Sequence, residues 1–401
     1  MASVQYREIE GRSVGFYGLL SGLALVIAGG LAAAWAMEHH GHVITGMSNR
    51  IVWGTPHVFA VFLIVAASGA LNVASVASVF GRELYKPLSR LSGLLAVALL
   101  AGGLAVLVLD LGRPDRLIVA MTHYNFKSIF AWNIFLYTGF FAVVALYLWT
   151  QLERRMNGYT RPAGMLAFLW RLVLTTGTGS IFGFLVARQP YDSALLAPLF
   201  IVMSFSFGMA VFLLVLMAAC HWSGRVLGDA LLERLGRLLG VFVAAVLYFV
   251  AVHHLTNLYI ARQTDLERFL LWDGGIYPLL FWVVQILIGG VVPLVLLFSG
   301  RTSRARGALA AAAACVVAGG FAQVYVIIIG GQAYPQLIFP GKEMSSSFLD
   351  GVVAGYVPSL PEVALGLGGV GLALALTVLG LKVLPFLPRS LADGKPDSAT
   401  A

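Results

Sequence analysis

Ten long apolar runs dominate the sequence, and each is long enough to cross a membrane as a helix. About 20 helical residues span a hydrocarbon core of about 30 Å. The runs cover residues 14–37, 55–80, 88–110, 128–150, 162–187, 194–219, 236–261, 276–298, 307–330 and 362–385. Their continuous hydrophobicity excludes a transmembrane barrel, whose strands alternate in polarity. Since only 11% of the 401 residues are charged, we predict an all-α integral membrane protein with ten transmembrane helices.

A weak internal repeat predicts how the ten spans are grouped. Residues 88–95, which open span 3, resemble residues 232–239, which open span 7, and the same offset places Asp110 on His254. Spans 2–5 and 6–9 would then be two four-helix bundles of the same orientation, flanked by spans 1 and 10. Chance similarity between two Leu- and Arg-rich helix entrances is the alternative.

The spans and the loops between them divide the sequence into five predicted segments. They are 1–54 (N-terminal tail, span 1 and an outer His-rich loop), 55–190 (first bundle), 191–330 (second bundle), 331–361 (a Gly-, Pro- and Ser-rich outer loop suited to docking a partner) and 362–401 (span 10 and a cytoplasmic tail).

The distribution of positive charge predicts the orientation of the chain. Most of the 26 Lys and Arg residues lie in the tails and loops on the side of the two termini. Because cationic loops stay in the cytoplasm, we predict cytoplasmic termini in the inner membrane of a bacterium. Span 1 is expected to stay uncleaved, since its apolar run is about twice as long as the core of a signal peptide. The net charge of +8 mostly reflects these orienting residues, so we predict no nucleic-acid binding.

The charged segment that follows span 3 is the first candidate for a functional site. Asp110 ends the apolar run, and Arg113, Pro114, Asp115 and Arg116 follow it. A carboxylate at the edge of the hydrocarbon is costly, which favours a functional role. The alternative is a structural ion pair, since Arg113 is near enough to Asp110 on a continuing helix.

Seven of the eight histidines lie toward the outer side. They are His39, His40, His42, His57, His123, His253 and His254. A quinone exchanges protons when its redox state changes, so its site needs hydrogen-bond donors and protonatable groups next to an apolar slot. We therefore predict that His57, in the first turn of span 2, and Asp110 exchange protons with a quinone. An interfacial histidine without a chemical role is the alternative for His57.

Further hydrogen-bonding groups surround the entrance of span 4. His123, Tyr124 and Asn125 precede this span, and we predict that they bind the quinone. Asn133 and Tyr137 lie four residues apart within the span, hence on one face, and are predicted to bind it too. An aromatic belt at the membrane surface would also explain Tyr124, whereas a buried Asn133 amide needs partners.

His253 and His254 permit a rival interpretation, as axial ligands of a b-type haem with His57 opposite. Haem-binding bundles usually carry histidines at matching spacings on two facing helices, and no second helix does so in this sequence. We therefore predict His254 as the second-bundle counterpart of Asp110, with neither haem nor metal in the chain. An iron–sulfur cluster takes about four thiolates. Since the sequence has two cysteines, any cluster must belong to a partner subunit.

Small polar residues in the inner half are candidates for a proton path. Ser68, Asn72 and Ser75 share one face of span 2, and Arg171 lies within span 5. Small polar residues also hold membrane helices together, and the long stem of Arg171 could carry its charge to the surface. Both alternatives remain open at this point.

Three motifs carry a family resemblance. They are Trp53-Gly54, Asp110-Leu-Gly-Arg113-Pro114, and Tyr124-Asn125-Phe126-Lys127-Ser128 leading to Trp132-Asn133. With them, spans 2–9 resemble the NrfD/PsrC family of quinone-interacting membrane subunits. The ten-span form most resembles the DsrP type, from the DsrMKJOP complex of sulfur metabolism. The membrane subunits of sulfite dehydrogenase, hydrogenase and alternative complex III are the competing types.

The resemblance implies a function in a larger complex. Family members carry no cofactor and exchange electrons between a membrane quinone and an iron–sulfur subunit on the outer face. It implies menaquinone or ubiquinone as substrate, an extracytoplasmic ferredoxin-like partner, a multihaem cytochrome c and a membrane cytochrome b-type subunit. It also adds Arg113 to the quinone-site residues. Some relatives carry His in place of Asp110 and an acid in place of Asn133, so the proton acceptor stays open.

A transporter or a purely structural anchor is the other class of function. A transporter would place its polar site near the bilayer midplane, whereas the polar residues of this chain cluster at one surface. An anchor would not need His57, Asp110 and Asn133. The sequence therefore favours a quinone oxidoreductase subunit that is inactive without its partners.

Overall fold

The computed structural model describes residues 4–300, 305–336 and 351–393. In these residues, ten helices are long and apolar enough to cross a membrane. Spans 1 to 10 are Val14–His40, Thr55–Ser78, Glu83–Leu109, Ile129–Leu152, Arg154–Gly183, Leu196–Trp222, Asp229–Tyr259, Ile276–Phe298, Arg306–Ala333 and Leu360–Val383. They confirm the predicted all-α membrane fold. We call the side of the molecule that holds His57 the outer side, as in the orientation predicted from the sequence.

Short elements join the spans. Helices Leu117–Thr122 and Thr264–Arg268 lie in the outer connections that follow spans 3 and 7. On the inner side, strand Tyr6–Arg7 pairs antiparallel with strand Leu387–Pro388. Arg225, between spans 6 and 7, donates hydrogen bonds to the carbonyl oxygens of Leu387 and Pro388 at 2.6 and 2.9 Å. The two tails therefore meet on one side, as an even number of spans requires.

The helix contacts are consistent with two bundles. Span 2 contacts spans 3 and 5, while span 4 contacts spans 3 and 5. Span 6 contacts spans 7 and 9, while span 8 contacts spans 7 and 9. The bundles meet where Gly69 of span 2 faces Gly208 of span 6, because a side chain at either glycine would collide with the opposite backbone. Spans 1 and 10 pack against each other, and span 10 also contacts spans 2 and 3.

Span 2 is the most buried span and is interrupted once. Its two helical stretches, Thr55–Ala70 and Asn72–Ser78, meet at Leu71. Ser92 of span 3 covers this break: its hydroxyl donates to the carbonyl of Ala70 at 2.7 Å and accepts from the N–H of Ala74 at 3.2 Å. A break inside the membrane is tolerated because a neighbouring side chain satisfies the freed backbone groups.

The outer loop predicted over 331–361 begins later than expected. Span 9 continues to Ala333, and residues 337–350 lie outside the described part of the chain. Beyond them, the N–H of Ala354 donates to the carbonyl of Ala333 at 2.9 Å. The far end of this loop therefore returns to the outer end of span 9.

Candidate functional site

The carboxylate of Asp110 is buried at the outer end of span 3, next to the ring of His57. Asp110 Oδ2 is 2.9 Å from His57 Nδ1, and the Asp110 side chain is fully buried whereas that of His57 is 21% exposed. The contact has the distance of an ion pair without the alignment of a hydrogen bond. Neither Asp110 oxygen has a hydrogen-bond partner among the described residues. His57 is therefore the group that compensates a buried carboxylate.

Two helix ends bring this pair together. Gly54 precedes span 2 and Pro56 occupies its first turn, where the missing N–H of proline costs little. Asp110 caps the end of span 3, and Gly112 follows with φ of 67°, which L side chains rarely adopt. Since spans 2 and 3 are consecutive and in contact, the start of one meets the end of the other. The positive end of span 2 also favours a carboxylate there.

Arg113 pairs with Asp115, not with Asp110. Its Nε and Nη2 atoms each lie 3.0 Å from an oxygen of Asp115, and both side chains are exposed. The hydrogen bond from Arg113 holds the pKa of the Asp115 carboxyl below its usual range. The interpretation of Asp110 and Arg113 as an ion pair is wrong, because the helix ends at Leu109 and the backbone turns at Gly112.

An aromatic wall stands beside the pair. The ring of Trp53 lies 6.2 Å from that of His57, with the two planes 29° apart. Phe130, Phe182 and Tyr191 surround the other sides of Trp53, with ring centroids 6.1, 5.8 and 6.2 Å away. These rings come from spans 4 and 5 and from the loop that follows span 5. They give His57 an apolar neighbour against which a planar ring could stack.

The segment that carries Trp53 is fixed by Gln332, at the outer end of span 9. Gln332 Oε1 accepts from the N–H groups of Val52 and Trp53 at 2.9 and 3.0 Å. Its Nε2 donates to the carbonyls of Trp53 and Ile328, both at 2.9 Å. Sequence reasoning missed Gln332, because its partners around Trp53 lie about 280 residues away along the chain.

A second polar network holds the first residue of span 2. The hydroxyl of Tyr356 accepts from the N–H of Thr55 at 2.6 Å and donates to Glu362 Oε1 at 2.5 Å. Glu362 Oε2 accepts from the N–H groups of Gly46 and Ser359, both at 2.8 Å. Burial and the bond to Glu362 raise the pKa of Tyr356 above its ordinary value, so this hydroxyl stays neutral. The Ser359-Leu-Pro-Glu362 capping box was the one visible signal of this network.

Asn133 and Tyr137 share one face of span 4, as their spacing predicted, and this face is turned toward span 5. Asn133 Nδ2 donates to the carbonyls of Ile129 and Gly177 at 2.9 and 3.2 Å, and Tyr137 contacts the side chain of Thr178. Asn133 Oδ1 is buried and has no hydrogen-bond partner in the described residues. Asn133 lies one helical turn from Phe130 in the aromatic wall.

His123, Tyr124 and Asn125 lie on the outer segment before span 4, and their contacts are local. His123 Nδ1 is 3.0 Å from the hydroxyl of Thr122, Asn125 Oδ1 accepts from the N–H of Lys127 at 3.0 Å, and the ring of Tyr124 lies 4.4 Å from that of Phe135. Sequence reasoning predicted that they bind the quinone, and their neighbours in the structure lie in their own loop and in span 4.

Comparison with known proteins shows which family the chain belongs to. Residues 43–336, which include spans 2–8 and all of span 9 with its Gln332, match the family described as "Polysulphide reductase, NrfD". The chain belongs to the NrfD family. It is 29% identical to an Hdr-like menaquinol oxidoreductase integral membrane subunit of Archaeoglobus fulgidus, over 98% of each chain.

Two other relatives of this NrfD-family protein are named as parts of reductases. A putative membrane subunit of dimethyl sulfoxide reductase from Halobacterium salinarum is 28% identical over 96% of this chain and 93% of its own length. The C chain of polysulfide reductase from Wolinella succinogenes is 24% identical over 71% of this chain and 96% of its own length. All three relatives are thus named as subunits of an oxidoreductase or a reductase.

Two of the four residues predicted to form a proton path, Ser68 and Arg171, are in contact in this NrfD subunit. Ser68 Oγ lies 2.5 Å from Thr175 Oγ1 and donates to the carbonyl of Arg171 at 3.2 Å. Asn72 is buried nearby along span 2, while Ser75 bonds to the backbone of its own helix. The Arg171 side chain does not reach the surface: it is 2% exposed, and its guanidinium lies over two phenylalanine rings.

The second bundle of this NrfD protein contains its own histidine–carboxylate pair. His254 Nδ1 lies 2.6 Å from Glu267 Oε2, and the Glu267 side chain is fully buried. Asn257 Nδ2 donates to the other oxygen, Glu267 Oε1, at 2.7 Å. Sequence reasoning predicted His254 as the counterpart of Asp110 but missed Glu267, which lies in the short helix after span 7 and looked like a loop charge.

Proposed function

We propose that His57 and Asp110 bind a quinone and exchange protons with it, and that the protein exchanges electrons with an iron–sulfur subunit docked on its outer side. One observation supports this most: a buried carboxylate is compensated by a partly exposed imidazole that lies beside a tryptophan ring. Such a pair can take up a proton without leaving an unpaired buried charge. The 21% exposure of the His57 side chain leaves its ring accessible from outside the protein.

The chemistry of the pair follows from its geometry. Oxidation of a quinol to a quinone releases two electrons and two protons. Asp110 faces Nδ1 of His57, which leaves Nε2 free to accept the proton of a quinol hydroxyl. The carboxylate at 2.9 Å then stabilises the imidazolium that forms. Quinone reduction uses the same groups in reverse, with His57 as the proton donor.

The remaining candidates are assigned by their position. We assign Asn133 and Tyr137 to the second quinone oxygen, since Asn133 lies next to the aromatic wall and has an unpaired buried oxygen. Arg113, His123, Tyr124 and Asn125 lie farther out, and we assign them to the mouth of the site, where the head group enters.

The partners and the orientation are also proposals. The Archaeoglobus relative, named as a menaquinol oxidoreductase subunit, supports menaquinone as the substrate. The names of all three relatives support a reductase or oxidoreductase complex as the context. Within that context we propose a DsrP-like subunit of sulfur metabolism in a bacterial inner membrane, with cytoplasmic termini. Its partners would be an extracytoplasmic iron–sulfur subunit, a multihaem cytochrome c and a membrane cytochrome b-type subunit. Mass spectrometry of the purified native complex tests this set directly.

We also propose that Ser68, Asn72, Ser75 and Arg171 belong to a proton path in the inner half of the first bundle. The contact of Ser68 with Thr175 and with the backbone of Arg171 supports it. A buried arginine without an ion pair in the described residues is rare unless it has a function.

The proposed role of Asp110 is tested by Asp110→Asn in the native complex. This change keeps the shape of the side chain but removes the charge that stabilises the imidazolium. Quinol-linked reduction of the partner's iron–sulfur cluster should fall by roughly 100-fold or more, with the complex still assembled. The matched control is Asp229→Asn, an exposed acid paired with Arg306 on the inner side, which should keep the wild-type rate. Wild-type turnover in an assembled Asp110→Asn complex would refute the role.

A further inference from the structure

The second bundle holds buried polar groups that the proposed quinone site does not use. His254, Glu267 and Asn257 form one network near the outer side, with contacts of 2.6 and 2.7 Å to the two oxygens of Glu267. The His254 side chain is 15% exposed and the Glu267 side chain is fully buried. The pair thus connects the surface to the interior.

A cavity of about 40 Å³ begins at this network and extends inward. Its polar lining residues are His253, His254, Gln285 and Gln323, and its other walls are apolar. A second cavity of about 20 Å³ is also lined by Gln285 and Gln323, and by Ser206 of span 6. The two cavities therefore adjoin at the pair of glutamines.

The glutamines lie near the middle of the membrane. Gln285 and Gln323 are each about 10 residues, or roughly 15 Å of helix, from the outer ends of spans 8 and 9. That is about half of a hydrocarbon core of about 30 Å. The cavities thus connect the His254–Glu267 pair to mid-depth.

Local helix geometry singles out the same region. Three π-helical segments occur in the described residues, at Phe269–Asp273, Leu280–Val291 and Val326–Gly330. The first cavity is lined by residues of all three, namely Leu270, Phe281, Gln285, Val326 and Ile327. Wide helical turns of this kind are rare and concentrate at functional sites.

The size and polarity of the cavities indicate that water occupies them. A buried water needs about 15 Å³ of cavity and two or more polar partners. The two cavities thus have room for roughly three to four waters and are too small for a quinone ring. Gln323 is buried, and its Nε2 donor has no hydrogen-bond partner among the described residues. A bound water would satisfy it.

The inner end of this region approaches the first bundle. Ser206, in the lining of the second cavity, follows Phe205, whose ring lies 5.1 Å from the Arg171 guanidinium. Arg171 Nε and Nη1 also lack hydrogen-bond partners in the described part of the chain. Adjacent residues of span 6 thus contact the second cavity on one side and Arg171 of the first bundle on the other.

We propose that the second bundle provides the outer half of a proton path, from the His254–Glu267 pair through water to Gln285 and Gln323. It continues across span 6 to the inner half formed by Arg171 and Ser68. A proton that enters the path from one aqueous side of the membrane is released on the other side. The step moves a proton only and breaks no other covalent bond. Electron transfer between the quinone bound beside His57 and the partner's iron–sulfur cluster supplies the free energy, so the inference rests on the proposed function.

The presence of water is tested on the purified native complex by X-ray hydroxyl-radical labelling. Phe207 and Phe281 line the cavities, whereas Phe212, on the same helix as Phe207, is equally buried and lines neither. Labelling of Phe207 and Phe281 should exceed that of Phe212 by roughly fivefold, because radicals form from bound water. Equal labelling of all three would overturn the proposal, whatever the activity of the complex.

Proton movement is tested with the complex in liposomes. In the Gln285→Leu/Gln323→Leu variant, labelling of Phe207 should fall to that of Phe212, and protons moved per electron should fall about twofold or more. Quinol-linked electron transfer should continue. Thr377→Val, which removes a buried hydroxyl bonded only to its own helix, is the matched control. Unchanged protons per electron in the double variant would overturn the path, while absent electron transfer in the wild type would instead overturn the proposed function.

Discussion

At the scale of single residues, three carboxylates in the described part of the chain have buried side chains, and each has a different set of partners. Asp110 has a single imidazole next to it. Glu267 has an imidazole and an amide, and Glu362 has a tyrosine hydroxyl and two backbone N–H groups. A carboxylate with several fixed donors is held rigidly by them. Glu362 is therefore suited to a structural role, whereas Asp110 depends on one imidazole that is 21% exposed.

The structural role of Glu362 gives a prediction for Tyr356→Phe. The change leaves one oxygen of Glu362 and the N–H of Thr55 without their partner, at a cost of about 1–3 kcal/mol. We expect a lower melting temperature of the complex and a raised KM for quinol, because the first turn of span 2 carries His57. Tyr17→Phe, on an exposed tyrosine of span 1, should leave both values unchanged. A raised KM in both variants would contradict the role of this network.

Individual site residues were predictable from the sequence only where they broke a local pattern. Asp110 and His57 could be identified because charge and imidazole are rare at the edge of apolar runs. That they touch each other depends on the packing of two helices. Gln332 and Tyr356 were missed, because their partners lie about 280 and 301 residues away and no local pattern links them.

At the scale of helices, the contact between spans 2 and 6 determines how the bundles meet. Gly208 faces the backbone of Gly69, so no larger residue fits without moving the helices apart. The path proposed above crosses this interface one turn away. Close packing of these two helices is therefore part of both the fold and the function.

Gly208→Leu should separate the bundles. Overpacking a tight interior costs on the order of 1–3 kcal/mol, so we expect a lower melting temperature, measured by tryptophan fluorescence of the purified complex. Gly22→Leu on span 1 is the matched control, since nothing lies within 4 Å of a side chain there. An equal fall in melting temperature for both substitutions would show that spans 2 and 6 are packed less tightly than in the structure.

The spans themselves were the most predictable part of the fold. Continuous hydrophobicity over about 20 residues is typical of a helix that crosses a membrane, and the ten predicted runs match the ten helices closely. The exit of span 3 was predicted less well. A continuing helix would have joined Asp110 to Arg113, but Gly112 redirects the backbone, and a single residue of this kind is hard to weigh from sequence.

At the scale of the whole molecule, the two tails meet on the inner side through the short sheet of Tyr6–Arg7 and Leu387–Pro388. The excess of Lys and Arg predicts that this side is cytoplasmic. A fluorescent protein fused to the C-terminus should therefore fluoresce, and a phosphatase at the same place should be inactive. A phosphatase fused after residue 190, between spans 5 and 6, should be active. The reverse pattern would invert the proposed orientation and move the quinone site to the cytoplasmic face.

The two bundles have different proposed roles. We propose that the first binds the quinone at its outer end and that the second connects the outer side to the middle of the membrane. Both use a histidine and a buried carboxylate. His57 lies beside Trp53, whereas His254 lies against Phe281, which lines the cavity of the second bundle. The size of the second cavity leaves room for water alone.

The central claim is that quinone binds beside His57, and photolabelling of the native complex with an azido-quinone tests it most directly. The label should be found on peptides that carry Trp53 or Phe130, and excess unlabelled quinol should remove it. His57→Ala should reduce this labelling, while His221→Ala, on the inner side, should not. Labelling confined to spans 6–9 would contradict the claim.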